Sequence, residues 1–335
     1  MRPGDTVAIV SPSGPPNPEL LRRGVERLEG LGLKVVVGAH ALDRQDLDYL
    51  AGADAARAAD LQDAWCDPAV SAVFCCRGGY GAGRLLELLD WDAMRAAGRA
   101  AERAAGRAAG PKTLLGSSDI TALHNAFAIE LDVPTLHGPM IACDVIAGDD
   151  AGPEPLTWES LREALFGPDE GVTPVAGDRV LAPGSAEGRA EGVVRGGNLS
   201  LLASMCGTRW QPSFADGIAF LEDVGEEPYR IDRMLTQLLQ AGAFDGVRGI
   251  ALGSWVGCGD PYPVLEDRLR PLGGAHRRRV AGGTRDTPDE CVVWGTWCYR
   301  YRIVLPDWLV GNGRAGKVEG RIRQKGTQRR ELVRA

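Results

Sequence analysis

Thr113-Leu114-Leu115-Gly116-Ser117-Ser118-Asp119-Ile120-Thr121 joins the end of a short apolar run to the start of a helical one. Downstream, Ile120, Leu123, Phe127 and Leu131 recur at the spacing that lines one face of a helix. The stretch predicts strand, sharp turn and helix, with Ser118 at the junction. A hydroxyl placed there stands clear of the sheet, beside backbone N–H groups that the first helical turn leaves without partners. That setting suits a serine nucleophile whose reaction develops an oxyanion. It equally suits Ser118 or Asp119 as a plain helix cap.

Working outward, the same alternation repeats. Thr6 to Val10 is an apolar run closed by Ser11-Pro12-Ser13-Gly14, Leu20 to Leu31 has helical periodicity, and Leu33 to Val37 returns to strand. Ala55 to Trp65 reads as helix, Ala69 to Cys76 as strand, and Arg77-Gly78-Gly79-Tyr80-Gly81 as a glycine loop leading into another helix through Leu89. Strands alternating with helices predict an α/β fold whose N-terminal part is a doubly wound, mostly parallel sheet. In such sheets functional loops follow the carboxyl ends of strands, where Gly78-Gly79 and Ser118 both fall. Residues 1–147 form this first domain, with a low-complexity Arg/Ala insert at 95–110 that reads as solvated and partly ordered. Residues 148–188, rich in Gly, Pro, Asp and Glu, read as a linker. A smaller C-terminal α/β domain spans 189–273, with a strand at Gly217–Leu221 ending in Glu222-Asp223, a helix from Ile231 to Leu239 and a strand at Gly249–Gly253.

The chain has 335 residues, 44% hydrophobic and 25% charged, the profile of a folded globular protein. No apolar run reaches the length of a membrane span, and Met1-Arg2-Pro3-Gly4-Asp5 lacks a signal peptide's apolar core, so the expected location is the cytoplasm. The eight cysteines include no Cys-x-x-Cys pair; they read as reduced thiols rather than metal ligands. Net charge is −7, yet residues 271–335 carry +8. That basic segment has no recognisable nucleic-acid motif, and the remainder is acidic, so neither nucleic acid nor membrane is expected as a partner.

Serine attack on a carbonyl needs a base, a carboxylate to orient it, and donors for the oxyanion. Glu222, at a strand terminus, can supply the carboxylate; alone it is also an ordinary member of the acidic cluster with Asp223, Glu226 and Glu227. The glycine loop lacks both the Gly-Lys-Ser/Thr of a phosphate cradle and the dinucleotide-binding spacing. What remains is a backbone able to approach a ligand closely and donate N–H groups.

Taken together, Gly4-Asp5-Thr6-Val7-Ala8-Ile9-Val10-Ser11-Pro12-Ser13-Gly14, Arg77-Gly78-Gly79-Tyr80-Gly81, Gly116-Ser117-Ser118-Asp119-Ile120-Thr121-Ala122-Leu123, His137-Gly138-Pro139-Met140, Gly196-Gly197-Asn198-Leu199, and Leu221-Glu222-Asp223 with Tyr229-Arg230-Ile231-Asp232-Arg233 resemble the LD-carboxypeptidases, a family of serine peptidases. The resemblance covers roughly residues 1–270. It implies cleavage between an L-centre and a terminal D-alanine in murein tetrapeptides, with Ser118 as nucleophile and Glu222 orienting a histidine. It implies an oxyanion hole from the backbone N–H groups of Gly79 and Asp119, a homodimer, and neither metal nor organic cofactor.

The resemblance also calls for a histidine in a Gly-His turn roughly seventy residues after the glutamate. The chain has only His40, His124, His137 and His276. His276 is the remaining candidate for the general base, but it comes too early and lacks the turn. Residues from about 274 onward read as an anomalous basic tail, either a genuine divergent segment or one out of frame: shifted by one nucleotide, codons for Val280-Ala281-Gly282-Gly283-Thr284-Arg285 can encode Leu-Pro-Gly-Gly-His. Three functions follow as expectations: a murein LD-carboxypeptidase, a related peptidase that inactivates peptide-nucleotide antibiotics, and a peptide-binding relative without its general base.

Overall fold

The computed structural model describes residues 1–105, 112–148, 152–167, 175–177, 179–182, 190–276, 279–282, 297–298, 302–304 and 318–323. The chain begins β1 (Thr6–Val10), α1 (Pro18–Gly30), β2 (Lys34–Val37), α2 (Asp54–Cys66), β3 (Val70–Cys75), α3 (Trp91–Ala105), β4 (Thr113–Gly116), α4 (Thr121–Glu130) and β5 (Leu136–His137). These strands lie in the order β5-β4-β3-β1-β2, all parallel. Along β1 and β3, successive side chains enter different cores: Ala8, Val10, Val73 and Cys75 on one face, Val7, Ile9, Ala72 and Phe74 on the other. Both faces are apolar because helices cover both, which is why these strands read as unbroken hydrophobic runs.

Next come α5 (Asp144–Ala147), α6 (Pro155–Phe166), β6 (Val175–Gly177), β7 (Arg179–Ala182), β8 (Glu191–Asn198), α7 (Leu199–Ser204), β9 (Gly217–Val224), α8 (Pro228–Gln240), β10 (Gly249–Val256), α9 (Tyr262–His276), β11 (Arg279–Gly282), β12 (Trp297–Cys298), β13 (Arg302–Val304) and β14 (Val318–Arg323). In the second sheet β8, β9 and β10 form a parallel core, extended by β11 and flanked by antiparallel strands. Leu221, Ile231, Leu235, Leu238, Ile250 and Leu252 pack between this sheet and its helices. The architecture is the expected α/β fold, with a second parallel core smaller than the first.

One span differs from its expected character. Within 148–188, α6 buries Leu161 and Leu165 in the same core as Val7 and Ile9, so that part of the expected linker joins the core on one face of the first sheet. The Arg/Ala segment 95–110 forms a helix through Ala105 whose residues from Arg95 to Ala100 are exposed or half-buried, while 106–110 lie outside the described residues. No helix among the described residues is long and apolar enough to cross a membrane.

Candidate active site

Three neighbouring strands, β4, β3 and β1, deliver three loops to one end of the first sheet. The order of connection reverses between β1 and β3, and such a switch point opens a crevice at the strands' carboxyl ends. Gly14 donates its N–H to the Gly78 carbonyl oxygen (3.0 Å), which stitches the β1 and β3 loops together. A β-carbon on Gly78 would stand 3.0 Å from Ser118 Cβ and 3.1 Å from its Oγ. Only glycine lets this backbone lie so close to the hydroxyl.

Ser118 has φ +57°, a left-handed conformation uncommon for serine. It opens a short 3-10 turn, Ser118–Ile120, that runs directly into α4. No side-chain cap hydrogen bond is made by Ser117 or Ile120 at these helix starts. Asp119 turns the other way and accepts hydrogen bonds from Ser13 Oγ (2.6 Å) and the Ala82 N–H (2.7 Å). The capping alternative for this stretch is therefore not what the geometry adopts. Burial pushes the Asp119 carboxyl above its ordinary value, against the pull of those two donors and of Arg57.

Behind Ser118 lie two buried histidines. His124 Nε2 donates to the Gly116 carbonyl oxygen at 2.8 Å, and His137 packs edge-on against Phe220 of the second sheet. Burial lowers His124 to about 4 and His137 to about 3, so both imidazoles are neutral at neutral pH. They support the strand that carries the serine. His40 is a half-buried loop residue paired with Asp43.

On the facing sheet, Glu222 sits opposite Asn198 in the β8–β9 register and is 5% exposed. Burial first, then the charge of Asp223, pushes its carboxyl up to about 8, opposed by a hydrogen bond from Asn198. Asn198 links the two halves of the site. Its backbone N–H donates to Thr121 Oγ1 at the start of α4 (3.0 Å), and its Nδ2 donates to Asp223 Oδ1 (2.9 Å). Gly196 is obligatory here, because a β-carbon would overlap the Phe220 carbonyl oxygen.

The structure thus gathers Ser118, Asp119 and the Gly78–Gly79 loop at one sheet end. It buries Glu222 at the end of β9, on the strand beside the one tied to α4. His276 is the last residue of α9, and its side chain lies outside the described residues. Among the described residues no group of three or more His, Cys, Asp or Glu could hold a metal ion. Arg57, Ser13 and the Thr121–Asn198 contact escape sequence reasoning; nothing in an Ala-rich helix marks Arg57 as buried.

Residues 7–138 match the LD-carboxypeptidase N-terminal domain and residues 191–276 its C-terminal domain. A putative carboxypeptidase of Streptomyces coelicolor is 52% identical over 279 residues, covering 82% of this chain and 83% of that protein. A murein tetrapeptide carboxypeptidase of Pseudomonas aeruginosa is 34% identical over 75% of this chain and 77% of its own length. The Escherichia coli microcin C7 self-immunity protein is 27% identical, covering 79% and 82%. Among solved structures, a muramoyltetrapeptide carboxypeptidase from Oxalobacter formigenes superposes with a TM-score of 0.73 at 26% identity, covering 96% of this chain and all of that one. With both domains matched in order and a relative this similar along most of its length, the chain belongs to the LD-carboxypeptidase family.

Proposed function

We propose that the chain is a serine LD-carboxypeptidase that releases the terminal D-alanine of murein tetrapeptides during cell-wall recycling in the cytoplasm, acting as a homodimer. Ser118 Oγ attacks the carbonyl carbon of the bond to D-alanine, and the oxyanion that forms is held by the backbone N–H groups of Gly79 and Asp119. The C–N bond then breaks, D-alanine leaves with the proton taken from the serine, and water hydrolyses the ester on Ser118. Glu222 orients the base that carries the proton, and His276 is the candidate for that base in the chain as written. The observation that carries this reading is Ser118 itself, at φ +57° between β4 and α4 with the Gly78 backbone against its hydroxyl.

A second reading is favoured by Glu222. With its carboxyl pushed up to about 8, it is protonated at neutral pH, whereas an ionised carboxylate is what orients and stabilises an imidazolium. A chain without a base would keep the cleft and its donors while losing several orders of magnitude in rate. The murein peptide is preferred over a peptide-nucleotide substrate because the murein-directed relatives are the more similar ones.

One assay separates these. The purified chain is incubated with a murein tetrapeptide, free D-alanine is measured by chromatography, and peptide binding is measured by calorimetry. Release that disappears in Ser118→Ala supports the peptidase. Binding without release selects the base-less cleft, and neither binding nor release overturns both.

A further inference from the structure

The most unusual buried group outside the proposed triad is Arg57, on the first turn of α2. Its residue exposure is 1%, with the side chain fully enclosed. A guanidinium out of water is costly unless its donors are used. Here both terminal nitrogens are used and only Nε lacks a partner: Nη1 donates to the Pro12 and Gly81 carbonyl oxygens, the latter at 3.1 Å, and Nη2 pairs with Asp54. Pro12 belongs to the loop after β1, and Gly81 to the glycine loop after β3.

Asp119 grips the same two loops from the other side. It accepts from Ser13 Oγ and from the Ala82 N–H. The Gly81 carbonyl and the Ala82 N–H are two ends of one peptide unit, which therefore lies between a buried cation at its oxygen and a buried anion at its hydrogen. A peptide dipole aligned in that way is stabilised at both ends, and the low dielectric strengthens each bond. Pro12 and Ser13 make a second bridge between the same pair of charges. Gly81, at φ +128°, has no room for a side chain, since a β-carbon would meet Arg57 Nη1 and Leu50 Cδ2.

We infer that Arg57 is a positioning residue: with Asp119 it clamps the Gly78–Ala82 loop from both sides and so fixes the direction of the Gly79 N–H beside Ser118. This rests on the proposed roles of Ser118 and Gly79. Arg57 touches no reacting atom. It holds the donor still, and a donor aimed before the reaction is what makes an oxyanion hole effective. Lysine cannot replace it fully, because a single ammonium does not span two carbonyls and a carboxylate with a planar fork.

The test reads the loop directly. Native-state amide exchange is followed by mass spectrometry in the peptide covering residues 78–83 and, as an internal reference, in β3. Arg57→Met is expected to raise loop exchange by about tenfold or more with β3 unchanged, and Arg57→Lys to give an intermediate increase. The same variants are expected to lower kcat for D-alanine release with little change in KM. Should Arg57→Met fail to fold, Arg57→Lys alone decides. A folded variant whose 78–83 amides exchange like those of the parent chain overturns the clamp. A parent chain that releases no D-alanine while its loop still responds to Arg57 overturns the peptidase reading and leaves the clamp standing.

Discussion

At Ser118 the backbone occupies a conformation that costs a non-glycine residue about 1–2 kcal/mol, and Gly78 is its counterpart across the gap. Gly78 itself has an ordinary φ, so Gly78→Ala meets no backbone penalty of its own. Its new methyl would sit 3.0 Å from Ser118 Cβ and 3.1 Å from Oγ, tighter than most real contacts, and the serine must give by a few tenths of an ångström. We expect Gly78→Ala to keep its melting temperature within a few degrees while D-alanine release falls by about tenfold, because Ser118 must give by a few tenths of an ångström, less than the ~1 Å that costs about a hundredfold. An unchanged rate would mean that Oγ does not need its present place. Glu222 supports a different measurement. Its folded pKa, about 8, lies above the ordinary 4.5, so the folded state holds a proton that the unfolded chain gives up. Stability is fully present below pH 4.5 and is lost as pH rises through 8, by about 1.4 kcal/mol per pH unit in that window. Glu222→Gln has no proton to hold. Its melting temperature relative to the parent should be flat near pH 4 and gain several degrees by pH 8; parallel curves would show that Glu222 is solvated or paired.

Between elements, the decisive seam runs from α4 to β8. Asn198 accepts from the Leu201 N–H and the Ser200 hydroxyl, capping α7, while donating to Thr121 and Asp223. Thr121→Val removes the acceptor for one buried N–H and is expected to cost about 1–3 kcal/mol. Asn198→Ala loses the cap and leaves Asp223 with fewer donors, for about 2–4 kcal/mol in all. Urea denaturation measures both, and an Asn198→Ala cost below half a kcal/mol would remove the seam's importance. The legibility of these elements from sequence follows their physics. Strands β1 and β3 are buried on both faces and appear as uninterrupted apolar runs. Strand β5, two residues long, offers no periodicity to detect. Helix α6 was hidden because its core residues, Leu161 and Leu165, stand among the Gly, Pro and acidic residues of an expected linker. At the site, Ser118 was legible from the strand-turn-helix pattern, whereas its positive φ and the turning of Asp119 toward Ser13 depend on distant loops. Arg57 was not legible at all, since burial of a lone arginine is decided by two backbone carbonyls 24 and 45 residues away.

For the whole molecule, the proposed chemistry needs a base to complement Ser118 and Glu222. The match to the family's C-terminal domain ends at residue 276, two residues beyond the point from which the tail reads as out of frame. Beyond it the charge changes sign: −15 for residues 1–270 against +8 for 271–335. A single-nucleotide slip would account for the charge reversal, the absent Gly-His turn and the end of the family-model match together. Sequencing the gene across codons 265–290 is expected to find a one-base alternative frame in which codons 280–285 encode Leu-Pro-Gly-Gly-His. An intact frame without such an alternative sinks the idea. The stronger test is functional: if the proposed oxyanion donors and Glu222 act as assigned and His276 is no substitute for the missing base, correcting the slip by one nucleotide should raise D-alanine release by several orders of magnitude. Ionisation of Glu222 should follow as well, since an imidazolium beside it favours the carboxylate. In the corrected chain the Glu222→Gln variant should therefore lose its stability advantage at pH 8. A corrected chain that is no more active, and whose Glu222 still titrates near 8, would place the base elsewhere and make the basic tail a genuine part of this protein.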